Sequence, residues 1–82
     1  MTRAVLVVDM LRGFLEPGYP MYAGNNARRI IPNLRKRLET ELERGAAVFF
    51  IGDCHPPDDT EFDMFPPHCV TGTAEAESMV QV

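Results

Sequence analysis

Three features of the 82-residue sequence predict an α/β fold with a parallel sheet. Residues 3–8 and 46–51 are short apolar runs, which are typical of buried strands covered on both faces. Between them lies a segment in which an apolar side chain recurs at every fourth position, as in an amphipathic helix. These positions are Ile30, Leu34, Leu38 and Leu42. A strand, a helix and a second strand in this order form a βαβ unit, whose strands lie parallel and whose crossover is right-handed.

The helix has predictable ends. Asn25 or Asn26 can cap its start, and Gly45 is placed to end it. Pro32 is tolerable only within the first turn, because its ring would clash with the preceding turn anywhere further along. The helix is therefore expected to begin near Asn26.

The remaining segments are predicted to be mostly loops. Glycines and prolines interrupt residues 10–24, and two Pro-Pro pairs stiffen residues 54–72. Residues 73–80 are expected to start a short helix, with Glu75 and Glu77 near its positive end. Two strands and one helix cannot cover both faces of such apolar strands, so the chain is expected to be part of a larger domain.

Composition and charge exclude several functions. The chain is 45% apolar and 24% charged, a composition typical of globular domains. Its net charge of −4 argues against nucleic-acid or membrane binding. Residues 46–82 hold seven acids, both histidines and no Lys or Arg, so they form a solvated acidic face or attract a cation or a basic surface. The first apolar run is too short for a signal sequence, so a cytoplasmic location with free thiols at Cys54 and Cys69 is expected.

Polar residues that follow the two strands form the candidate site. Asp9 and Asp53 lie at the carboxyl ends of the strands, where open α/β sheets bind ligands. Asp53 and His55 point the same way in an extended segment, and His68 can close a site from the returning loop. Two imidazoles and a carboxylate suit a divalent metal such as zinc or iron, with Glu61 as a further ligand.

Structural interpretations of the same residues stay open. Both histidines can be loop residues bonded to carbonyls, and spacing alone favours that interpretation. Asp9 can be a general base or can cap the following loop. Phe14 and Phe65 are core residues or walls of an aromatic pocket. Cys54 and Cys69 lack an evident base and orienting group, so they are interpreted as structural thiols.

Taken together, the residues resemble the nicotinamidase and isochorismatase-like cysteine hydrolases. The resemblance follows the chain in order through five segments: Val7-Val8-Asp9-Met10 with Phe14 downstream, the helix ending at Gly45, Asp53-x-His55, Asp59-x-Glu61-Phe62, and Pro66-x-His68-Cys69-x-x-Gly72-Thr73. It implies a three-layer αβα fold with a parallel sheet, of which this chain supplies the first βαβ unit and the metal loop. Residues 1–82 would then be a single incomplete domain, the N-terminal half of a cysteine hydrolase domain.

The resemblance also implies a reaction. Members of the family hydrolyse a carboxamide, such as nicotinamide to nicotinate and ammonia, through a Cys-Asp-Lys triad whose aspartate matches Asp9. A divalent metal holds the pyridine nitrogen in the nicotinamidase branch; zinc is expected, with iron or manganese as alternatives. The matching ligands are Asp53, His55 and His68, with Glu61 as an additional ligand.

The remaining matches concern the substrate and the partners. Phe14 matches an aromatic wall of the pocket, and Phe65 stands where many members have Trp. Met-Leu-Arg after Asp9 departs from the common nicotinamidase pattern, so a related amide substrate stays open. Neither Lys36 nor Cys69 matches the triad, so the chain alone is expected to be inactive and to need its C-terminal half or a second chain.

Two other functions stay open from the sequence. One is an isochorismatase-like hydrolase that needs no metal. The other is a non-catalytic module that binds a metal or a partner and folds as a homo-oligomer, burying its open strand edge.

Overall fold

The computed structural model of the protein describes residues 2–80. Strands β1 (Ala4–Val8) and β2 (Ala47–Ile51) form a parallel sheet, in register from Ala4 opposite Ala47 to Val8 opposite Ile51. The predicted α/β fold with a parallel sheet is confirmed. Because the strands are parallel, both end at the same edge of the sheet, which brings the residues after Val8 and Ile51 together.

The described chain between the strands is helical in three places, where one helix was predicted. Helix α1 (Arg12–Leu15) lies in the segment predicted as loop, so that prediction is wrong for these four residues. Helices α2 (Asn25–Arg28) and α3 (Ile30–Glu43) share the segment predicted as a single helix. A four-residue helix is too short to produce a periodic pattern, which is why α1 leaves no signal in the sequence.

Pro32 accounts for the interruption between α2 and α3. It is the third residue of α3 and so lies in the first turn, as predicted. A continuous helix would set its ring against the carbonyl of Arg28, and the helix restarts after that residue. The asparagine cap is not formed, because Gly24 precedes α2 and no side chain caps it. Gly45 adopts a φ of 81° just beyond α3, the left-handed conformation that ends helices.

The helix predicted for residues 73–80 is also wrong. Only Ala74–Ala76 forms a short 3₁₀ turn, and a second 3₁₀ turn spans Thr60–Asp63. Ser78 instead pairs with Leu11 in an antiparallel bridge, and the N–H of Met79 donates to the carbonyl of Met10 at 2.7 Å. Pairing with the chain just after β1 satisfies these backbone groups and keeps the segment extended.

The core lies on one face of the sheet. Its buried residues come from β1, the chain just after it, the helices and the last described segment: Val7, Met10, Leu15, Ile31, Leu38 and Val80. The opposite face, formed by Leu6, Val8, Phe49 and Ile51, is exposed. The strands were predicted to be covered on both faces, and within residues 2–80 they are covered on one. No helix in this part of the chain is long and apolar enough to cross a bilayer.

Candidate metal centre and active site

The first part of the site is a link between the ends of the two strands. Asp9 directly follows β1, and its N–H donates to the carbonyl of Ile51 at 2.7 Å. Its carboxylate Oδ1 accepts a hydrogen bond from the N–H of Asp53 at 3.1 Å. Asp9 has a φ of 55°, a left-handed conformation that aspartate tolerates better than most residues. The two aspartates predicted to share this edge are therefore joined by a hydrogen bond from the Asp53 backbone to the Asp9 carboxylate.

The second part is a group of three donor side chains. The donor atoms of Asp53, His55 and His68 all lie within 4.8 Å of one another. Asp53 Oδ2 is 3.6 Å from His55 Nε2 and 3.9 Å from His68 Nε2. The structure thus brings together three of the predicted site residues, with one carboxylate oxygen facing two imidazole nitrogens.

Backbone pairing returns the loop so that His68 meets His55. The N–H of His55 donates to the carbonyl of Cys69 at 3.0 Å, and the N–H of Thr71 donates to the carbonyl of His55 at 2.8 Å. Cys69 has a φ of 47°, which turns the chain directly after His68. The two imidazole rings consequently lie with their centroids 4.8 Å apart.

His68 is held in one orientation by the backbone. It is buried, with 2% of its surface exposed, and its Nδ1 lies 2.7 Å from the carbonyl oxygen of Pro66. A carbonyl can only accept a hydrogen bond, so Nδ1 carries the proton and Nε2 keeps a lone pair. That lone pair faces Asp53.

His55 has a different set of neighbours. Its Nδ1 lies 3.0 Å from Asp59 Oδ2, and its Nε2 lies 3.0 Å from Glu61 Oε2. The hydrogen bond with Asp59, and then the negative charges of Glu61, Asp59 and Asp53, raise the pKa of His55 against the opposing effect of burial. The pKa of Asp59 is lowered, first by the Glu61 N–H and then by His55.

These residues fit a divalent cation. The Nε2 atom of His55 is buried and makes no hydrogen bond within residues 2–80, although Glu61 Oε2 lies 3.0 Å away. A buried imidazole nitrogen without a hydrogen bond is costly unless another ligand satisfies it. Asp53, His55 and His68 supply two imidazoles and one carboxylate, and Glu61 adds a further oxygen. His55, Asp59 and Glu61 form a second, overlapping group of possible ligands.

Solved structures resemble the chain closely, although no protein-family profile and no curated protein matches it. A pyrazinamidase of Pyrococcus horikoshii in complex with zinc is 31% identical with a TM-score of 0.89, over all of this chain and 47% of its own. A nicotinamidase/pyrazinamidase from Bacillus subtilis is 28% identical with a TM-score of 0.87, over 99% of this chain and 46% of its own. The resemblance inferred from the sequence is confirmed.

A third structure carries the other family name. An isochorismatase-like hydrolase from Alkaliphilus metalliredigens is 28% identical with a TM-score of 0.82, and the match covers all of this chain and 46% of its own. This chain has the isochorismatase-like hydrolase fold. It spans less than half the length of these structures.

Aromatic side chains surround the histidines in this isochorismatase-like fold. Phe62 packs edge-on against both, with centroid distances of 5.4 Å to His55 and 5.6 Å to His68. Phe14 packs partly against the core, and its ring lies 6.1 Å from that of His68. Phe65 lies 6.5 Å from His68 and is 43% exposed. Phe14 and Phe65 therefore both lie beside His68, and their role as walls of a substrate pocket stays a prediction.

Asp59 and Phe62 received no role from the sequence alone. Asp59 follows His55 by four residues, but only the turn at Pro56 brings its carboxylate back to the imidazole, through an Asp59 N–H bond to the Pro56 carbonyl at 3.1 Å. Phe62 depends on the 3₁₀ turn that follows. The sequence feature that could have indicated these roles is the segment Asp59-x-Glu61-Phe62, because it places two carboxylates and an aromatic ring close to a candidate ligand.

The two cysteines are not among the candidate metal ligands. Cys69 is fully buried, and its Sγ lies 3.6 Å from the carbonyl of Glu75. Burial, followed by the charges of nearby carboxylates, raises the pKa of Cys69 to about 11, so its thiol stays protonated at neutral pH. Cys54 is exposed, and its Sγ lies 3.1 Å from the Thr71 hydroxyl. Cys69 is thus a buried core residue, and its interpretation as a structural thiol stays a prediction.

Proposed function

We propose that this chain forms the N-terminal part of a nicotinamidase-like amidohydrolase that requires a divalent metal. The observation that carries the proposal is the convergence of Asp53, His55 and His68 on one point. Two structural neighbours named as nicotinamidase or pyrazinamidase support the reaction class, and one of them is a zinc complex. The substrate would be a small carboxamide, nicotinamide or a related amide.

In this proposal Asp9 is the proton-transfer residue. A cysteine thiolate outside the matched segments attacks the amide carbonyl, and the C–N bond breaks as ammonia leaves with a proton relayed by Asp9. Water then cleaves the thioester, giving the carboxylic acid and restoring the thiol. Lys36 and Cys69 do not match the triad, so its Cys and Lys would come from a C-terminal half or a second chain. The 82-residue chain is therefore predicted to be inactive alone.

The metal-binding residues would act on the substrate ring. A divalent cation held by Asp53, His55 and His68, with Glu61 as a further ligand, would supply an electrophilic position for a pyridine nitrogen. Zinc suits two imidazoles and a carboxylate, and iron or manganese are the alternatives. The rings of Phe14 and Phe65 would line the substrate pocket next to His68.

Metal analysis tests the ligand assignment. The purified protein should retain zinc in stoichiometric amount after dialysis, and the His55→Ala variant should lose it. Asp58→Ala is the matched control, because Asp58 is an exposed acid in the same loop. Equal metal content in wild type and His55→Ala would contradict the assignment.

A second experiment tests the catalytic part. An intact mass spectrum of the protein from its natural source should reveal a longer chain or a second polypeptide, and that material should release ammonia from nicotinamide. If only the 9.2 kDa species is present, it has no nucleophile for this reaction and the catalytic proposal fails.

One other function has specific support. The isochorismatase-like neighbour supports a hydrolase of the same fold, and the sequence left open a member of that kind that needs no metal. That alternative predicts no retained metal, so the dialysis experiment separates the two. The cytoplasmic location inferred from the sequence stays a prediction.

A further inference from the structure

We propose that Asp59 is a positioning residue that fixes the tautomer of His55 so that Nε2 is free to bind a metal. This inference rests on the proposed function, because it assigns Asp59 a role in the same metal centre. Asp59 would not itself contact the metal in this arrangement, since its carboxylate is already engaged by two other groups.

The contacts of Asp59 define that role. Its Oδ2 lies 3.0 Å from His55 Nδ1, and its Oδ1 accepts the N–H of Glu61 at 2.8 Å. Carboxylates lie near both ring nitrogens of His55, but the ring's hydrogen bond is the one with Asp59, and Nε2 makes none within residues 2–80. The proton of the neutral imidazole is therefore on Nδ1, where the ionised Asp59 accepts it. The lone pair then lies on Nε2, the atom that faces Asp53 and Glu61. Carboxylates that orient metal-binding histidines in this way are common in metalloproteins.

The surrounding loop holds Asp59 in place before any metal arrives. Its N–H donates to the Pro56 carbonyl at 3.1 Å, and its side chain caps the 3₁₀ turn Thr60–Asp63. The same carboxylate therefore sets the orientation of His55 and the start of the turn that carries Glu61. Two of the candidate ligands depend on this one side chain.

The other histidine provides a comparison. His68 is fixed in the same sense, with its proton on Nδ1, by the Pro66 carbonyl. Both imidazoles thus present Nε2 to Asp53, but only the His55 arrangement is set by a side chain. A substitution at Asp59 that keeps an acceptor for the Glu61 N–H can change it while the turn stays capped.

The decisive variant is Asp59→Asn. The asparagine carbonyl can still accept the Glu61 N–H, which leaves its NH₂ group facing His55 Nδ1. That group donates, so the imidazole proton moves to Nε2 and blocks the metal-binding atom. We expect the affinity for zinc to fall roughly 10- to 100-fold, the usual effect of losing such an orienting group. A merely structural Asp59 would tolerate the nearly isosteric asparagine.

The tautomer can be measured directly without metal. Imidazole ¹⁵N shifts of the metal-free protein, recorded at an alkaline pH where the rings are neutral, should place the His55 proton on Nδ1 in wild type. In Asp59→Asn the proton should be on Nε2. Asp58→Asn, an exposed change of the same charge in the same loop, should alter neither the shifts nor zinc affinity.

The outcomes separate this inference from the proposed function. An Nε2 proton on His55 in the wild type overturns the role of Asp59, and that measurement does not depend on a variant that folds. Unchanged shifts and unchanged zinc affinity in Asp59→Asn overturn it as well. If the wild type binds no zinc, the metal-dependent function fails, while the shifts still decide whether Asp59 fixes the His55 tautomer.

Discussion

The carboxylate of Asp9 accepts a hydrogen bond from the backbone N–H of Asp53 at 3.1 Å. The contact joins the ends of two parallel strands that are 44 residues apart in sequence. It couples the residue proposed for proton transfer to a proposed metal ligand, so movement of either strand end displaces both. Asp9 is in a left-handed conformation, which sets its side chain against the second strand.

Asp9 should make separable contributions to stability and to activity. Asp9→Ala loses the acceptor for the Asp53 N–H and places alanine at a positive φ, so the free energy of unfolding should fall by about 1–3 kcal/mol. Asp9→Asn keeps an acceptor and tolerates the left-handed conformation, so it should stay within about 0.5 kcal/mol of wild type. Urea denaturation of both variants checks this. Equal losses in the two would show that neither the acceptor nor the backbone conformation matters.

Zinc should stabilise the folded protein through His68. A ligand that binds only the folded state adds about 2.7 kcal/mol at a concentration a hundred times its Kd. In His68→Asn the amide nitrogen can still donate to the Pro66 carbonyl, but no atom replaces Nε2. The rise in melting temperature on adding zinc should therefore disappear in this variant and, in wild type, be reversed by a chelator. A similar rise in His68→Asn would remove His68 from the ligand set.

The sequence predicts the parts of the fold that depend on local pattern. β1, β2 and α3 each carry a continuous apolar run or a regular four-residue spacing, and all three are present. The strands keep their predicted limits to within one residue, whereas α3 begins at Ile30, after the separate helix α2, and not near Asn26. The failures lie where distant residues decide the structure. Residues 78–79 pair with Leu11 and Met10, and these bonds outweigh the helical propensity of residues 73–80.

The site divides in the same way. The shared orientation of Asp53 and His55 can be predicted, because side chains two residues apart in an extended chain point the same way. The approach of His68 required the returning loop, and that return is set by backbone bonds of His55 to Cys69 and Thr71. The role of Asp59 depends on a turn and on the tautomer of a ring, neither of which is encoded in residue spacing.

Gly13 should be required for the packing of α1 against the loop after His68. A Cβ added at Gly13 would lie 2.9 Å from Cys69 Sγ and 3.2 Å from the Glu75 carbonyl oxygen. Replacing glycine by alanine in a helix normally raises the free energy of unfolding by up to about 1 kcal/mol. Here the steric overlap should make Gly13→Ala lower the free energy of unfolding by about 1–3 kcal/mol. The cost should be smaller in a Cys69→Ala background. A double-mutant cycle by urea denaturation checks this, and strictly additive effects would contradict the contact.

The ion pair between Arg3 and Glu41 should make stability depend on acid pH. Two hydrogen bonds of 2.7 and 2.8 Å join them, and this pairing with Arg3 lowers the pKa of the buried Glu41 below its ordinary value of 4.5. Because the pKa of Glu41 is lower in the folded than in the unfolded protein, the stabilisation is complete above about pH 4.5 and is lost as pH falls through the folded value.

Glu41→Gln should therefore lower the melting temperature at pH 7 and flatten its decline between pH 5 and 3, about the range in which carboxylates titrate. Glu39→Gln, an exposed change on the same helix, should leave the profile unaltered; a Glu41→Gln profile parallel to wild type would contradict the linkage.

The open face of the sheet should control self-association of the 82-residue chain. Leu6 and Phe49 are neighbours in the strand register and are 60% and 52% exposed, within a face that also includes Val8 and Ile51. Contiguous apolar surface of this kind drives association in water. The double variant Leu6→Thr and Phe49→Thr introduces β-branched residues, which suit strands, while it removes apolar area. It should therefore sediment as a monomer at concentrations where wild type associates. Leu42→Thr, which removes an exposed apolar side chain from α3, is the control and should associate like wild type. Identical sedimentation of wild type and the double variant would show that this face is not the contact surface.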